Sequence, residues 1–385
     1  MNRKRVLILA DYYVPGYMAG GPIRSLQSVC DALGREFDIY LVTRDRDLGG
    51  EARYKNIIIN SWMDVGSVKV MYVESASFSF GFVNEILRKL EPDVVHLNSL
   101  MSIRFSFIPL LTSRYSKYFK GVIFLSPRGE LSRGALKIGG LKKRVYLFVI
   151  KLLNLDNYVE WIASSDGEKS DILHNFGTSK LVINRINNLP NFSQWKSKIE
   201  RTVIKTPNEI NLVFFSRISP MKNLHYLLDI LSEIDINVNL DVYGPKEDLN
   251  YLNSCENKIS VLPNNVKVNL LGTLSPENAY SVMKEYDLFV LPTLGENFGQ
   301  AIWEALASSL PILISDRTPW KNLEKIGVGW EVSLEKPSHF LRIIKKVYSM
   351  GEHEHRILRD RSRKFALDYV ESSDSLHKLR IIYSR

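Results

Sequence analysis

Apolar residues in this chain gather into short unbroken runs, and turn-forming residues close each run. The runs at 6–10, 39–43, 68–73, 94–97, 122–126, 161–163 and 181–186 read as strands covered on both faces. Helical spacing of apolar positions separates them at 22–33, 82–90, 106–116, 131–155 and 167–175. Strand alternating with helix predicts a doubly wound α/β domain. A polar connection rich in Asn, Lys and Thr follows at 187–207, and then the pattern restarts. Its second set of strands falls at 210–215, 238–242, 266–270, 288–291, 312–314 and 330–332. Two Rossmann-like domains are therefore expected, 1–190 and 205–360, with a ligand cleft between them. A length of 385 residues agrees with two domains. The charged tail at 352–385 has helical spacing and no strand signal.

The second half holds the sharpest chemistry. In YDLFVLPTLGENFGQAIWEALASSLPILISDRTPW, at 286–320, a strand breaks at Pro292 and Gly295, a helix runs from about 299 to 309, and another strand follows. Ligands of open parallel sheets bind at the carboxyl ends of strands, which is where the loop 293–298 falls. Glu296 lies in that loop, and Glu304 lies inside the helix eight positions on. The two carboxylates can face opposite ends of one elongated ligand. Between them the amides at Gly299 and Gln300 present the positive end of the helix dipole, which suits a phosphate. A nucleotide-sugar has that form, with hydroxyls at both ends and phosphate in the middle.

Glu296-Asn297-Phe298-Gly299-Gln300, continued to Glu304 and then to Leu310-Pro311-Ile312, resembles the paired-glutamate signature of retaining glycosyltransferases of GT-B fold. The resemblance is closest to glycosyltransferase family 4 (group 1), of the polysaccharide-biosynthesis type. Ser309 departs from it, standing where that family usually has glycine. The resemblance implies two Rossmann-like domains facing across a cleft, with a C-terminal helix at about 365–385 crossing back to the first. It implies that Glu304 holds the ribose hydroxyls and that Glu296 orients the donor sugar.

Other positions join this set. Arg217 and Lys222 follow the restart strand, where two cations can neutralise a diphosphate as its bond breaks; their spacing resembles the family's diphosphate clamp. Gly20 and Gly21 precede a helix and resemble its first-domain glycine loop. Gly244 resembles the glycine–proline turn beside the donor, and Gly272 with Leu274 the segment that holds the nucleobase. Asn297, Phe298, Gly299 and Gln300 complete the donor contacts. Ser126-Pro127-Arg128-Gly129-Glu130 resembles a Pro-Arg-Gly segment of polysaccharide-building members, which implies that Arg128 lies near the transferred sugar or the leaving phosphate. His96 ends a buried strand, where a sugar contact and a satisfied core histidine are both open. Trp320 and Trp330 read as packing residues.

Composition narrows the setting. Cys30 and Cys255 are far apart and lack metal-site spacing, which points to a reducing, cytoplasmic compartment. No segment is long and apolar enough to span a bilayer, and the apolar run at 6–10 is too short for a targeting segment. Residues 1–190 carry 26 Lys+Arg against 18 Asp+Glu, and the rest 25 against 24, so the net +9 divides as +8 and +1. Such asymmetry suggests an anionic partner for the first half. The acid-free stretch 131–155 interleaves Arg133, Lys137, Lys142, Lys143 and Arg144 with apolar residues. It can lie on anionic lipid, making the protein peripheral on the inner face of the plasma membrane, or pack its apolar side inward; both readings are open.

The expected function is metal-independent transfer of a sugar from a nucleoside-diphosphate sugar to an acceptor hydroxyl. Arg217, Lys222 and helix N-termini would supply the positive charge, so no metal or other cofactor is expected. The resemblance implies a glycan or lipid-linked glycan acceptor in bacterial surface-polysaccharide synthesis. A nucleotide-sugar 2-epimerase on the same fold is the alternative. A nucleic-acid-binding module ranks below both, because no exposed aromatics of a recognisable module interleave the basic cluster.

Overall fold

A parallel strand buried by helices on both faces needs no polar alternation, and the apolar runs form such strands. The computed structural model describes residues 3–137, 140–177, 180–190, 205 and 208–385. The chain divides into two units, Met1–Asn191 with Ser373–Arg385, and Phe192–Ser372. In the first unit the strands are β1 (Arg5–Leu9), β2 (Asp38–Arg44), β3 (Trp62–Val65), β4 (Val68–Val73), β5 (Val94–Leu97), β6 (Val122–Leu125), β7 (Glu160–Ala163) and β8 (Ile183–Arg185). They form one sheet in the order β3-β4-β2-β1-β5-β6-β7-β8. All neighbours are parallel except β3, which returns antiparallel on β4. Around it lie α1 (Gly21–Leu33), α2 (Phe80–Leu90), α3 (Ile108–Tyr115), α4 (Arg133–Lys137), α5 (Gly140–Leu152) and α6 (Asp166–Phe176).

The second unit repeats the plan with β9 (Ile210–Phe215), α7 (Leu224–Leu231), β10 (Val238–Tyr243), α8 (Leu249–Ile259), β11 (Val266–Gly272), α9 (Pro276–Met283), β12 (Leu288–Leu291), α10 (Gln300–Ala307), β13 (Ile312–Ser315), α11 (Leu323–Ile326) and β14 (Gly329–Val332). Its sheet is wholly parallel, in the order β11-β10-β9-β12-β13-β14. Strand order reverses between β9 and β12 here, and between β1 and β5 in the first unit. Such reversals open a crevice at the carboxyl ends of the two strands. Three further helices close the chain, α12 (Pro337–Ser349), α13 (Glu352–Glu371) and α14 (Ser375–Tyr383). Among the described residues no helix is long and apolar enough to cross a membrane.

Several elements differ from the sequence expectation. Strand β3, WMDV, escapes notice because it is half-exposed and too short to alternate. The helix expected at 106–116 opens with a π turn over Ile103–Phe107. The stretch 131–155 is two helices, α4 and α5, rather than one. The polar connection at 187–207 lies outside the described residues apart from 187–190 and 205. The tail expected to cross back from about 365 does so only from Ser373. Helix α13 stays in the second unit because Trp303 Nε1 donates to Ala366 O at 3.0 Å and Arg359 donates to Tyr286 O at 2.6 Å. Helix α14 joins the first unit, where Leu379, Ile382 and Tyr383 are buried in the same core as Cys30 and Phe37.

Ser309 explains the glycine preference of its position. It is left-handed, at φ 60°, just past Ser308, the C-cap of α10, where a side chain costs roughly 1 kcal/mol over glycine.

Candidate active site

The second unit's site is built on the strand reversal. After β9 the chain turns through Pro220–Lys222, one tight helical turn, into a left-handed Asn223. Asn223 Nδ2 donates to Pro292 O at 2.9 Å, just past β12. Leu294 N and Thr293 Oγ1 both donate to Met221 O, at 2.8 and 3.1 Å. The loops after β9 and β12 are thus stitched together by backbone groups. That stitching sets Lys222 against Glu296: Lys222 Nζ donates to Glu296 Oε1, and each side chain is only 11% exposed. From the other side Glu296 N donates to Arg317 O at 3.1 Å, and Ser315 Oγ donates to Thr293 O at 2.6 Å. The loop carrying Glu296 is therefore held by three strand ends.

Helix α10 begins at the end of this loop. Its N-cap is Gly299, left-handed at φ 78°, where a Cβ would come within 2.6 Å of Ile302 Cδ1. Glycine lets the chain turn directly from loop to helix, leaving the first amides of α10 at the reversal. Glu304 is 1% exposed and accepts from Gln300 Nε2 at 3.2 Å. A carboxylate buried in so apolar a helix is costly for stability. Phe298 is buried against Trp320, whose indole N–H donates to Phe298 O at 2.5 Å. Trp320 thus does more than pack, because it fixes the backbone entering α10. Asn297 lies half-buried between Glu296 and Phe298.

Of the two acids and two cations singled out in this unit, one pair is in contact. Lys222 and Glu296 touch. Arg217 instead donates to Glu247 Oε1 at 2.6 Å, both side chains about a third exposed. Gly244 N donates to Gly272 O at 2.8 Å, joining the turns after β10 and β11. Leu274 is half-buried between β11 and α9.

The first unit carries its own cluster, a small pocket whose lining includes Ser25, His96, Ser126, Arg128, Glu168 and Asn188. Arg128 is left-handed, at φ 55°. Its Nε and NH2 donate to Asn98 Oδ1 at 2.8 and 2.5 Å, and NH1 donates to Asn188 Oδ1. Glu168 is turned from the guanidinium to the backbone, accepting from Gly129 N at 2.5 Å and Ser164 N at 2.7 Å. Arg128 is thereby held by neutral amide oxygens, and burial lowers its pKa. Asn98, Asn188 and Glu168 had no signal in sequence, since isolated polar residues at strand ends are commonplace.

His96 is 2% exposed and engages both ring nitrogens, Nδ1 with Tyr383 at 2.7 Å and Nε2 with Ser126 at 2.9 Å. Burial, with the Arg128 charge beside it, pushes its imidazole down to about 3. The unfolded chain takes up this proton near pH 6.5 and the folded chain does not, so stability falls as pH drops below that value. The expected slope is up to about 1.4 kcal/mol per pH unit. Urea unfolding at about pH 7 and pH 5 should show roughly 2 kcal/mol of this loss, and His96→Asn should flatten it.

Gly20 and Gly21 stand at the N-terminus of α1, in a loop whose Tyr17 and Met18 amides donate to Asp47, at 2.8 and 3.1 Å. Asp45, two residues earlier, is fully buried and paired with Arg46 and Arg53, each at 2.9 Å. This Asp45-Arg46-Asp47 pattern, of a kind that can hold a divalent cation, thus spends its carboxylates on arginines and amides. On α5, Lys142 and Arg144 are exposed and Lys143 donates to Ala135 O at 2.6 Å. The side chains of Arg133 and Lys137 lie outside the described residues.

Known proteins resemble this chain in part of its sequence and in its fold. Residues 196–364 match the family described as glycosyl transferases group 1. An uncharacterized protein of Methanocaldococcus jannaschii is 29% identical over 134 residues, 35% of this chain and 93% of that one. Among solved structures, HepE of Anabaena in complex with UDP and glucose superposes with a TM-score of 0.72 at 17% identity, covering 99% of each chain. Sucrose-phosphate synthase from Thermosynechococcus elongatus gives 0.71 at 14% identity, over 98% of this chain and 97% of that one. WaaG, a glycosyltransferase involved in lipopolysaccharide biosynthesis, gives 0.65 at 14%, over 98% of each. The fold is that of the GT-B glycosyltransferases, two parallel-sheet α/β domains in one chain.

Proposed function

We propose that this chain is a retaining, metal-independent glycosyltransferase that moves a hexose from a nucleoside-diphosphate sugar to an acceptor hydroxyl. The observation that carries the reading is the Lys222–Glu296 contact at the β9/β12 reversal, inside the segment similar to group 1 glycosyl transferases. An ammonium has three donors, and Glu296 takes one. The others can reach the oxygens of a diphosphate whose charge grows as the anomeric C–O bond breaks. Glu296 then lies where the sugar hydroxyls fall, and Glu304 is assigned to the ribose. The amides opening α10 face the phosphates. Arg217 can add a second cation by exchanging Glu247 for phosphate.

In the step itself, the bond from anomeric carbon to phosphate oxygen breaks and one to the acceptor oxygen forms on the same face. The acceptor proton passes to the leaving phosphate, so no protein base is required. Arg128 and the pocket around it are assigned to the acceptor or the transferred sugar, with His96 as a positioning residue. HepE was solved with UDP-glucose and WaaG belongs to lipopolysaccharide biosynthesis. A UDP-hexose donor and a lipid-linked glycan acceptor of a surface polysaccharide therefore head the candidates.

The test is a panel of nucleotide-sugars incubated with and without glycan acceptors, in EDTA, following nucleotide release and the anomeric configuration of the product. Release persisting in EDTA, with retained configuration, is the expected result. Interconversion of the donor sugar without acceptor would replace the transferase by a 2-epimerase.

A further inference from the structure

Helix α5 has two apolar faces, and among the described residues only one is covered. Leu147 and Ile150 are buried in the first unit's core. Leu141, Val145, Phe148 and Leu152 are 78, 53, 62 and 70% exposed. Their spacing of four, three and four residues lines them up as one stripe along the outer side of the helix. At about 100° per residue, Arg144 and Lys151 fall along one edge of that stripe and Lys142 along the other, all exposed.

Asp156, which is buried, is close enough to act on Lys151, whose ammonium also stands 5.7 Å from the Phe176 ring centroid, whereas Lys142 and Arg144 lie in the acid-free stretch between Glu130 and Asp156. Between Asp93 and Asp156 the sole carboxylate is Glu130. It is turned inward, accepting from Leu100 N at 2.6 Å, Met101 N at 2.9 Å and Ser99 Oγ at 2.9 Å. At the C-terminal end of α5, Arg114 donates to Asn154 O at 3.1 Å and lies over the rings of Tyr115 and Tyr158. These tyrosines are 71 and 39% exposed, an apolar body with a polar tip, the form favoured at a membrane–water boundary.

We propose that this face docks on an anionic bilayer. The stripe Leu141–Val145–Phe148–Leu152 enters the boundary between headgroups and acyl chains, while Lys142 and Arg144 meet lipid phosphates. Charge selects the bilayer over a second copy of the chain. A symmetric pairing through this face would set the Lys142 and Arg144 rim of one copy against that of the other. The proposal stands apart from the transferase reading, because docking needs neither donor nor turnover.

The experiment is co-sedimentation of the full chain with vesicles of phosphatidylcholine containing phosphatidylglycerol, and of phosphatidylcholine alone. Light scattering in solution reports the oligomeric state. The parent should pellet with the anionic vesicles and lose binding as salt rises. Leu141→Ser with Phe148→Ser should weaken partition by about tenfold or more. Lys142→Gln with Arg144→Gln should weaken it by roughly tenfold to thirtyfold. Because all four positions are exposed, circular dichroism and the unfolding midpoint should match the parent. A parent that ignores anionic vesicles, or that binds both vesicle types equally, overturns the proposal. So does a serine double variant that pellets as before, or a dimer of the parent that the serine variant dissolves.

Discussion

Lys222→Ala should lower nucleotide-sugar turnover by about 10²–10³-fold, the scale of losing one fixed charge or donor from a developing oxyanion. Lys222 is positioned by backbone rather than by a flexible loop. Its tight turn is anchored through Met221 O to Thr293 and Leu294, which fixes where the ammonium starts from. Arg217, the other cation after β9, is engaged with Glu247. The loss should fall on kcat more than on KM, because the charge it neutralises grows between bound donor and transition state. Lys222→Arg should recover only part of the rate: a planar guanidinium does not fit a seat that holds a point charge against Glu296. Glu296→Ala should also be slow, and the double variant should lose less than the two losses multiplied, since the side chains act as a pair. Steady-state release of nucleotide by each variant, beside its unfolding midpoint, decides the matter. Full turnover in Lys222→Ala would remove the diphosphate role. A rate loss that merely tracks unfolding would make the pair structural.

How much of this could be read from the chain alone follows from what each feature needs. Parallel strands covered on both faces are unbroken apolar runs, so β1, β4, β5, β9 and β12 stood out. The half-exposed edge strand β3 has no such run. Glu296 and Lys222 are 74 positions apart, and only the rule that ligands gather at strand carboxyl ends brings them together on paper. The rule could not see that Arg217, five residues before Lys222, would turn to Glu247, because that choice depends on where the turn after β10 lies. Around Arg128 the partners are Asn98 and Asn188, which are neutral and come from separate strand ends. Helix α5 is the plainest limit of periodicity. With apolar residues on two opposite faces, spacing alone assigns a helix but cannot say which face the core takes.

Gly244→Ala should destabilise the second unit by roughly 3–5 kcal/mol, lowering its unfolding midpoint by about 10 °C. Two effects add at this position. Its φ of 153° is one that side chains rarely adopt, and a Cβ there would lie 1.8 Å from Ser216 O, a contact no side-chain rotation relieves. Ser216 cannot retreat, because its own amide donates to Tyr243 O at 2.9 Å, and Ile218 N donates to Pro245 O at 2.9 Å just beyond. The strand ends of β9 and β10 would have to part, and β9 leads directly into the turn that seats Lys222. Donor binding should therefore weaken together with stability. Gly272→Ala is the control. It too has a positive φ, 75°, and its carbonyl accepts from Gly244 N, yet a Cβ there meets nothing within 4 Å. Its cost should be about 1 kcal/mol, the backbone preference alone. Urea unfolding of the two variants separates close approach from φ. If both lose the same stability, the contact with Ser216 is not what reserves position 244 for glycine.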